Sequence, residues 1–102
     1  MPENFEFHFE WDFAKAASNR HKHGISFDLA STIFRDPLML SIPDEEHRET
    51  EERWVTIGQA ENGRLLLVVH TYLEISANAA NVRMISARFA TKHEQRQYEA
   101  DR

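Results

Sequence analysis

The stretch Arg53 to Tyr72 restricts the fold more than any other part of the chain. Arg53 to Ala60 alternates as a strand, Arg64 to Tyr72 is a second strand, and Asn62-Gly63 lies between them. Asn-Gly in a two-residue loop favours a type I′ hairpin turn. The run Leu65 to Val69 is apolar at every position, so both of its faces are buried and it is a central strand. A type I′ turn fixes a register in which Glu61 pairs with Arg64. Ile57 then faces Val68, Val55 faces His70 and Arg53 faces Tyr72, which predicts that Arg53, His70 and Tyr72 cluster on one side of the sheet.

Other elements assemble around this hairpin. Phe5 to Trp11 alternates aromatic and polar residues, the pattern of a strand with one wet face. Asp12 caps a helix over Phe13 to His23, and Gly24 supplies its left-handed stop. Ser26 caps a second helix with an apolar stripe at Phe27, Leu29, Ala30, Ile33 and Phe34, which Pro37 ends. A short strand, Leu38 to Ile42, is broken by Pro43. The link Leu73 to Asn81 extends the preceding strand and turns near Ala77 to Asn81. Val82 to Arg88 reads as a strand, and Lys92 to Ala100 as a helix in which Thr91 and Glu94 have capping-box spacing. The order β-α-α-β-β-β-β-α predicts an α+β domain over residues 1–102. It has a mostly antiparallel sheet of about four to five strands, two N-terminal helices and a C-terminal helix.

Composition narrows the function. Apolar residues make up 41% and charged residues 28%, as in an ordinary folded domain. No apolar run is long enough to cross a bilayer, and the start lacks the pattern of a signal peptide. The absence of cysteine excludes disulfides and thiolate metal sites. The expected location is the cytoplasm. A net charge of −5 argues against indiscriminate nucleic-acid binding. The charge is unevenly spread, however. Residues 82–102 hold Arg83, Arg88, Lys92, Arg96 and Arg102 against three acids. Asp44, Glu45, Glu46, Glu49, Glu51 and Glu52 form an acidic run that reads as a solvated loop or a docking surface for a basic partner.

The segments FEWD (Phe9 to Asp12), KHGISF (Lys22 to Phe27), Phe34 to Pro37, ERW (Glu52 to Trp54), Ile57-Gly58, LLVVHT (Leu66 to Thr71) and RMISARFATKHEQRQYE (Arg83 to Glu99) together resemble the BrnT family. The resemblance implies a RelE-like fold and a ribonuclease toxin of a type II toxin–antitoxin module. It also implies an antitoxin partner of BrnA type, with a ribbon-helix-helix DNA-binding part, in a two-plus-two complex. DNA would be met only through that antitoxin, and no cofactor is expected. The chain departs from the family pattern at Phe89, where a basic residue is more usual, and in the longer, more neutral stretch Glu74 to Asn81.

Metal-independent RNA cleavage needs a base, donors for the charged phosphorane and an acid for the leaving oxygen. Arg53 and Arg88 are candidate catalytic donors, and His23 or His70 a candidate base. Lys22, Arg83, Lys92 and Tyr98 are candidate RNA contacts. Each has a structural alternative. Lys22 and His23 suit a helix C-terminus, His70 suits a core, Tyr98 suits packing, and Arg53 suits the neighbouring acids. His21 and His23 do not face each other on a helix, so no metal site is expected. Arg83 and Arg88 have odd spacing. A regular strand would part them unless it bulges or Arg88 lies beyond its end, and the second case is the expectation, with Arg88 at the strand–helix corner. An alternative function is a fold-retaining module, inactive on RNA, that acts with its antitoxin as a repressor. A dimer held by the aromatic first strand is a third.

Overall fold

The computed structural model describes residues 5–45 and 52–100. Glu46, Glu49 and Glu51 of the acidic run lie outside the described residues. A six-stranded sheet runs in the order β2-β3-β4-β6-β1, with β5 also on β6. Its strands are β1 (Glu6–Glu10), β2 (Leu40–Pro43), β3 (Arg53–Gln59), β4 (Leu65–Thr71), β5 (Leu73–Ser76) and β6 (Ala79–Phe89). Among the described residues the helices are α1 (Phe13–His23), α2 (Phe27–Ser31) and α3 (Lys92–Ala100), with a 3-10 turn at Thr32–Arg35. β1 pairs with β6 in parallel and the other pairings are antiparallel, so the sheet is mixed. It has one or two more strands than expected, because the Leu73 to Asn81 link forms β5 and the start of β6.

Local chemistry sets the helix ends. The Asp12 carboxylate accepts the amides of Ala14 and Lys15, and Gly24 at φ 71 closes α1. The second predicted helix is shorter than its apolar stripe, giving way to the 3-10 turn after Ser31. A five-residue helix cannot hold itself in water. Phe27, 2% exposed, and fully buried Ala30 anchor it instead. Burying a phenylalanine contributes about 1.5–3 kcal/mol, more than the roughly 1 kcal/mol of a serine cap. Pro43 lies inside β2, where an edge strand needs no further amide donor.

The sheet has apolar cores on both sides. On one, Ile25, Phe27, Ala30, Ile33 and Phe34 pack on Leu66, Val68, Val82, Met84 and Ala87. On the other, Tyr98 of α3 packs with Ile57, Leu67 and Ala90. Burial on both sides explains the unbroken apolar run of β4.

The hairpin register differs by one residue from the sequence expectation. Arg53 lies opposite Thr71, Trp54 opposite His70 and Ile57 opposite Leu67. The loop has three residues: the Gly63 amide donates to the Ala60 carbonyl at 2.9 Å, and the Ala60 amide to the Arg64 carbonyl at 2.8 Å. Gly63 has φ 86 and Asn62 keeps a negative φ, which a type I′ turn would not allow. Packing favours this register. A Cβ at Gly58 would meet the Ile33 Cβ at 3.0 Å, so the 3-10 turn lies directly on β3 there. Ile57 is directed instead to the α3 core. Because one residue of slip exchanges the faces, Arg53 lies on the α3 side and His70 on the helical-pair side. The expected cluster of Arg53, His70 and Tyr72 does not form.

Candidate active site

Arg53, Val55 and Ile57 of β3 share a face with Leu67, Val69 and Thr71 of β4. Arg88 of β6 lies opposite Leu67 and joins that face. Between Val69 and His70 the pairing jumps from Ser86 to Met84, leaving Ile85 as an extra residue. This bulge reverses the alternation along β6, which would otherwise put Arg83 and Arg88 on opposite sides. With Met84 turned into the core beside His70, Arg83 falls on the arginine face, and its amide donates to the Thr71 hydroxyl at 3.2 Å. Arg88 is therefore inside the strand rather than beyond its end. The odd spacing is resolved by the bulge.

Arg53 and Arg83 flank Thr71 on the two strands beside β4. Neighbouring strands are about 4.8 Å apart, so their backbones stand roughly 10 Å from each other. Arg88 lies four β4 residues further along, about 13 Å, next to the start of α3. Val55 and Val69 make the apolar floor between them. Among the described residues the buried Nε of Arg53 has no hydrogen-bond partner. Native proteins seldom leave such donors unmatched. Glu10, the β1 partner of Arg83, adds a carboxylate to the same row. The alternation of β1 put Glu10 on its wet side, but only the parallel pairing with β6 brings it beside Arg83.

Arg88 is ion-paired. Its Nη1 donates to Glu94 Oε1 and its Nη2 to Glu94 Oε2, both at 2.8 Å. Glu94 Oε1 also accepts the Thr91 amide at 2.9 Å, and the Glu94 amide donates to the Thr91 hydroxyl at 3.2 Å, which completes the capping box. The Arg88 guanidinium holds the Glu94 carboxyl down at about 2, and Glu94 in turn raises Arg88. The capping spacing was legible in the sequence; the ion pair across the strand–helix corner was not.

The remaining candidates lie elsewhere. His70 is 2% exposed and edge-on to Phe34 at 4.9 Å. Its Nδ1 is 2.9 Å from the Thr71 carbonyl, so that nitrogen carries the proton. Nε2 must then accept from the Thr56 hydroxyl, at 2.6 Å. Burial lowers its pKa below 6.5. This is a satisfied core imidazole, on the opposite side of the sheet from the arginines. With Phe7, Phe34, Met39, Ser41, Trp54 and Tyr72 it borders a largely apolar cavity of about 210 Å³.

Tyr98 is 2% exposed, and its hydroxyl donates to Asp36 Oδ2 at 2.6 Å. It clamps α3 to the loop before β2, which is the packing alternative and lends no support to an RNA contact. Lys92 is exposed at the first turn of α3. Lys22 and half-buried His23 line a polar cleft of about 270 Å³ with Lys15, Ile85 and Ser86, along the edge of β6. Beside it Asn19 takes the place of a neighbouring strand. Its side-chain carbonyl accepts the Ala87 amide at 3.0 Å, and its amide donates to the Ala87 and Ile25 carbonyls at 2.9 and 3.2 Å. A lone Asn in a helix carries no sequence signal for that role. Phe89 pairs with Leu66 and points away from Arg88, under the Arg64 guanidinium at 4.4 Å. Its departure from the family pattern removes no charge from the arginine face. Among the described residues no three His, Asp or Glu side chains gather closely enough to hold a metal ion, and no helix is long and apolar enough to cross a membrane.

A family model described as the ribonuclease toxin BrnT of type II toxin–antitoxin systems matches residues 11–94. The chain belongs to the BrnT family. The 1.1 Å crystal structure of the Brucella abortus ribonuclease toxin BrnT is similar to it, with a TM-score of 0.59 and 20% identity. That match covers 85% of this chain and all of the Brucella chain, so the two share the BrnT fold. No curated protein matches at a significant level.

Proposed function

We propose that this BrnT-family chain cleaves RNA without a metal ion, on the face that carries Arg53, Arg83 and Arg88. The β6 bulge is the observation that supports this most, because it brings both β6 arginines to the side of Arg53. In this reading Arg53 and Arg83 hold one phosphate above Thr71, and Arg88 faces the charge that develops on the phosphorane. The 2′-hydroxyl attacks its own phosphate and the 5′-oxygen leaves, giving a 2′,3′-cyclic phosphate. Lys92 contributes a backbone contact at the α3 end, and Lys22 one along the β6 edge. Of the two imidazoles singled out above, His23 is the one exposed enough to exchange a proton. His70 already uses both nitrogens inside the fold.

The experiment is a cleavage assay on single-stranded RNA with chelator present. The wild type is expected to produce cyclic-phosphate ends, and Arg53→Ala and Arg83→Ala to lose at least tenfold in kcat/KM while staying folded. Intact RNA with abundant folded protein would remove the proposal. A BrnA-like ribbon-helix-helix antitoxin, in a two-plus-two complex, is the proposed neutralising partner. Co-purification with the product of the adjacent reading frame tests it. The pairing of Arg88 with Glu94 favours a second reading, in which the chain keeps the fold but acts only within a repressor complex. That reading expects tight antitoxin binding and no RNA cleavage.

A further inference from the structure

The way Arg88 is held points to a role for a residue outside the arginine row. We infer that Glu94 is a positioning residue, which fixes the Arg88 guanidinium so that its free edge faces the phosphate of a bound RNA. This rests on the nuclease reading above.

Glu94 engages the two terminal nitrogens, Nη1 and Nη2, end-on. The second proton of Nη1 is directed to the Phe89 carbonyl, at 3.3 Å. Among the described residues nothing accepts from Nε–H or from the second proton of Nη2. These two donors lie side by side on the adjacent edge of the planar group, which shares Nη2 with the first, and form a fork matched to two phosphate oxygens. The Arg88 side chain is 39% exposed and that of Glu94 16%. The carboxylate thus takes the Nη1/Nη2 end and leaves the side-on fork to another anion, so Arg88 can serve both at once.

The support behind Glu94 is rigid. The capping box ties its carboxylate to the Thr91 amide and its own amide to the Thr91 hydroxyl. The orientation of Arg88 is set by the first turn of α3 rather than by its own flexible stem. Because the carboxyl is held at about 2, it stays ionised wherever RNA would be cleaved. A carboxylate that merely competed with phosphate for Arg88 would engage the same fork that RNA needs. Here it engages the other edge.

The test measures cleavage of a short fluorogenic single-stranded RNA by the full chain, with kcat and KM separated, alongside thermal unfolding. Glutamine also serves in a capping box, so Glu94→Gln keeps the helix start. Glu94→Gln is expected to lower kcat roughly ten- to a hundredfold, the cost of a misplaced catalytic group, with KM changed less than twofold. The double variant Arg88→Ala/Glu94→Gln should be no slower than Arg88→Ala alone, because the two side chains act as a unit. Glu99→Gln, a carboxylate on the exposed side of α3, should match the wild type. A wild-type kcat in Glu94→Gln would overturn the inference and leave Glu94 a structural clamp. A raised kcat would overturn it in favour of a latch that occludes Arg88. Losses that multiply in the double variant would also overturn it. If the wild type cleaves no RNA, the nuclease reading falls first, before any variant is compared, and the inference falls with it.

Discussion

Burial lowers the pKa of His70, and the hydrogen bond to the Thr71 carbonyl offsets this only in part. Below pH 6.5 the unfolded chain takes up a proton at this residue that the folded protein refuses. Stability is therefore fully present above that value and declines as the pH falls toward the lowered one. The expected result is a Tm that is level near pH 8 and falls as the pH drops below about 6.5, with a shallower fall in His70→Gln. Glu94 cannot account for that window. Its folded value of about 2 against an ordinary 4.5 stabilises above 4.5, and the contribution is lost only as the pH drops from there toward 2. Thermal scans of both proteins across this range decide it; parallel curves would mean that another group titrates. Cleavage by folded His70→Gln should keep the wild-type rate, since Nε2 is engaged with Thr56. At this scale the sequence supplied candidates but not their surroundings. The chain has six histidines, and no pattern in the sequence separates the one facing Phe34 from the other five.

Elements defined by local chemistry were legible to the residue. Asp12 and Gly24 bound α1, and Thr91 with Glu94 starts α3, because each cap is built from residues within one turn. Features that depend on what packs from elsewhere were not. The hairpin slipped by one residue because Ile33 lies over Gly58, and the β6 bulge at Ile85 leaves no trace in the alternation of its neighbours. Those two facts decide which arginines share a face, so the site was less legible than the fold. The docking of α3 is likewise a tertiary matter. Asp36 accepts from Tyr98 at 2.6 Å through Oδ2, which also takes the Gln59 amide at 2.8 Å. Tyr98→Phe keeps the ring among Ile57, Leu67 and Ala90 but withdraws the proton from a carboxylate. A hydrogen bond to a charged group contributes about 1.5–3 kcal/mol, so urea unfolding should show a loss of that order. RNA cleavage per folded molecule should be unchanged. A large loss of activity without a loss of stability would restore Tyr98 to the site.

For the whole molecule, a net charge of −5 has to be reconciled with a polyanionic substrate. Bulk attraction does not help, and long-range steering would work against binding at low salt. Affinity must then come from a few short-range contacts, and the salt dependence counts them. Single-stranded nucleic acid loses affinity with a log–log slope of about −0.7 per phosphate neutralised, so the phosphate shared by Arg53 and Arg83 and those met by Arg88, Lys92 and Lys22 predict a slope near −3. A protein that bound through a broad basic surface would give a much steeper one. Arg53→Ala or Arg83→Ala should each flatten the slope, by at most about 0.7 for the phosphate they share, whereas Arg64→Ala, whose guanidinium lies on Phe89 away from this face, should leave it alone. Titrations with a non-cleavable 2′-O-methyl RNA over a range of salt concentrations give these slopes directly. An unchanged slope in both row variants would mean that phosphate is held elsewhere, with the Lys15, Lys22 and His23 cleft beside β6 the next surface to test. The acidic excess then has a consistent physical role. On the proposed reading it suppresses indiscriminate RNA binding, so that only a strand seated on the arginine row is retained.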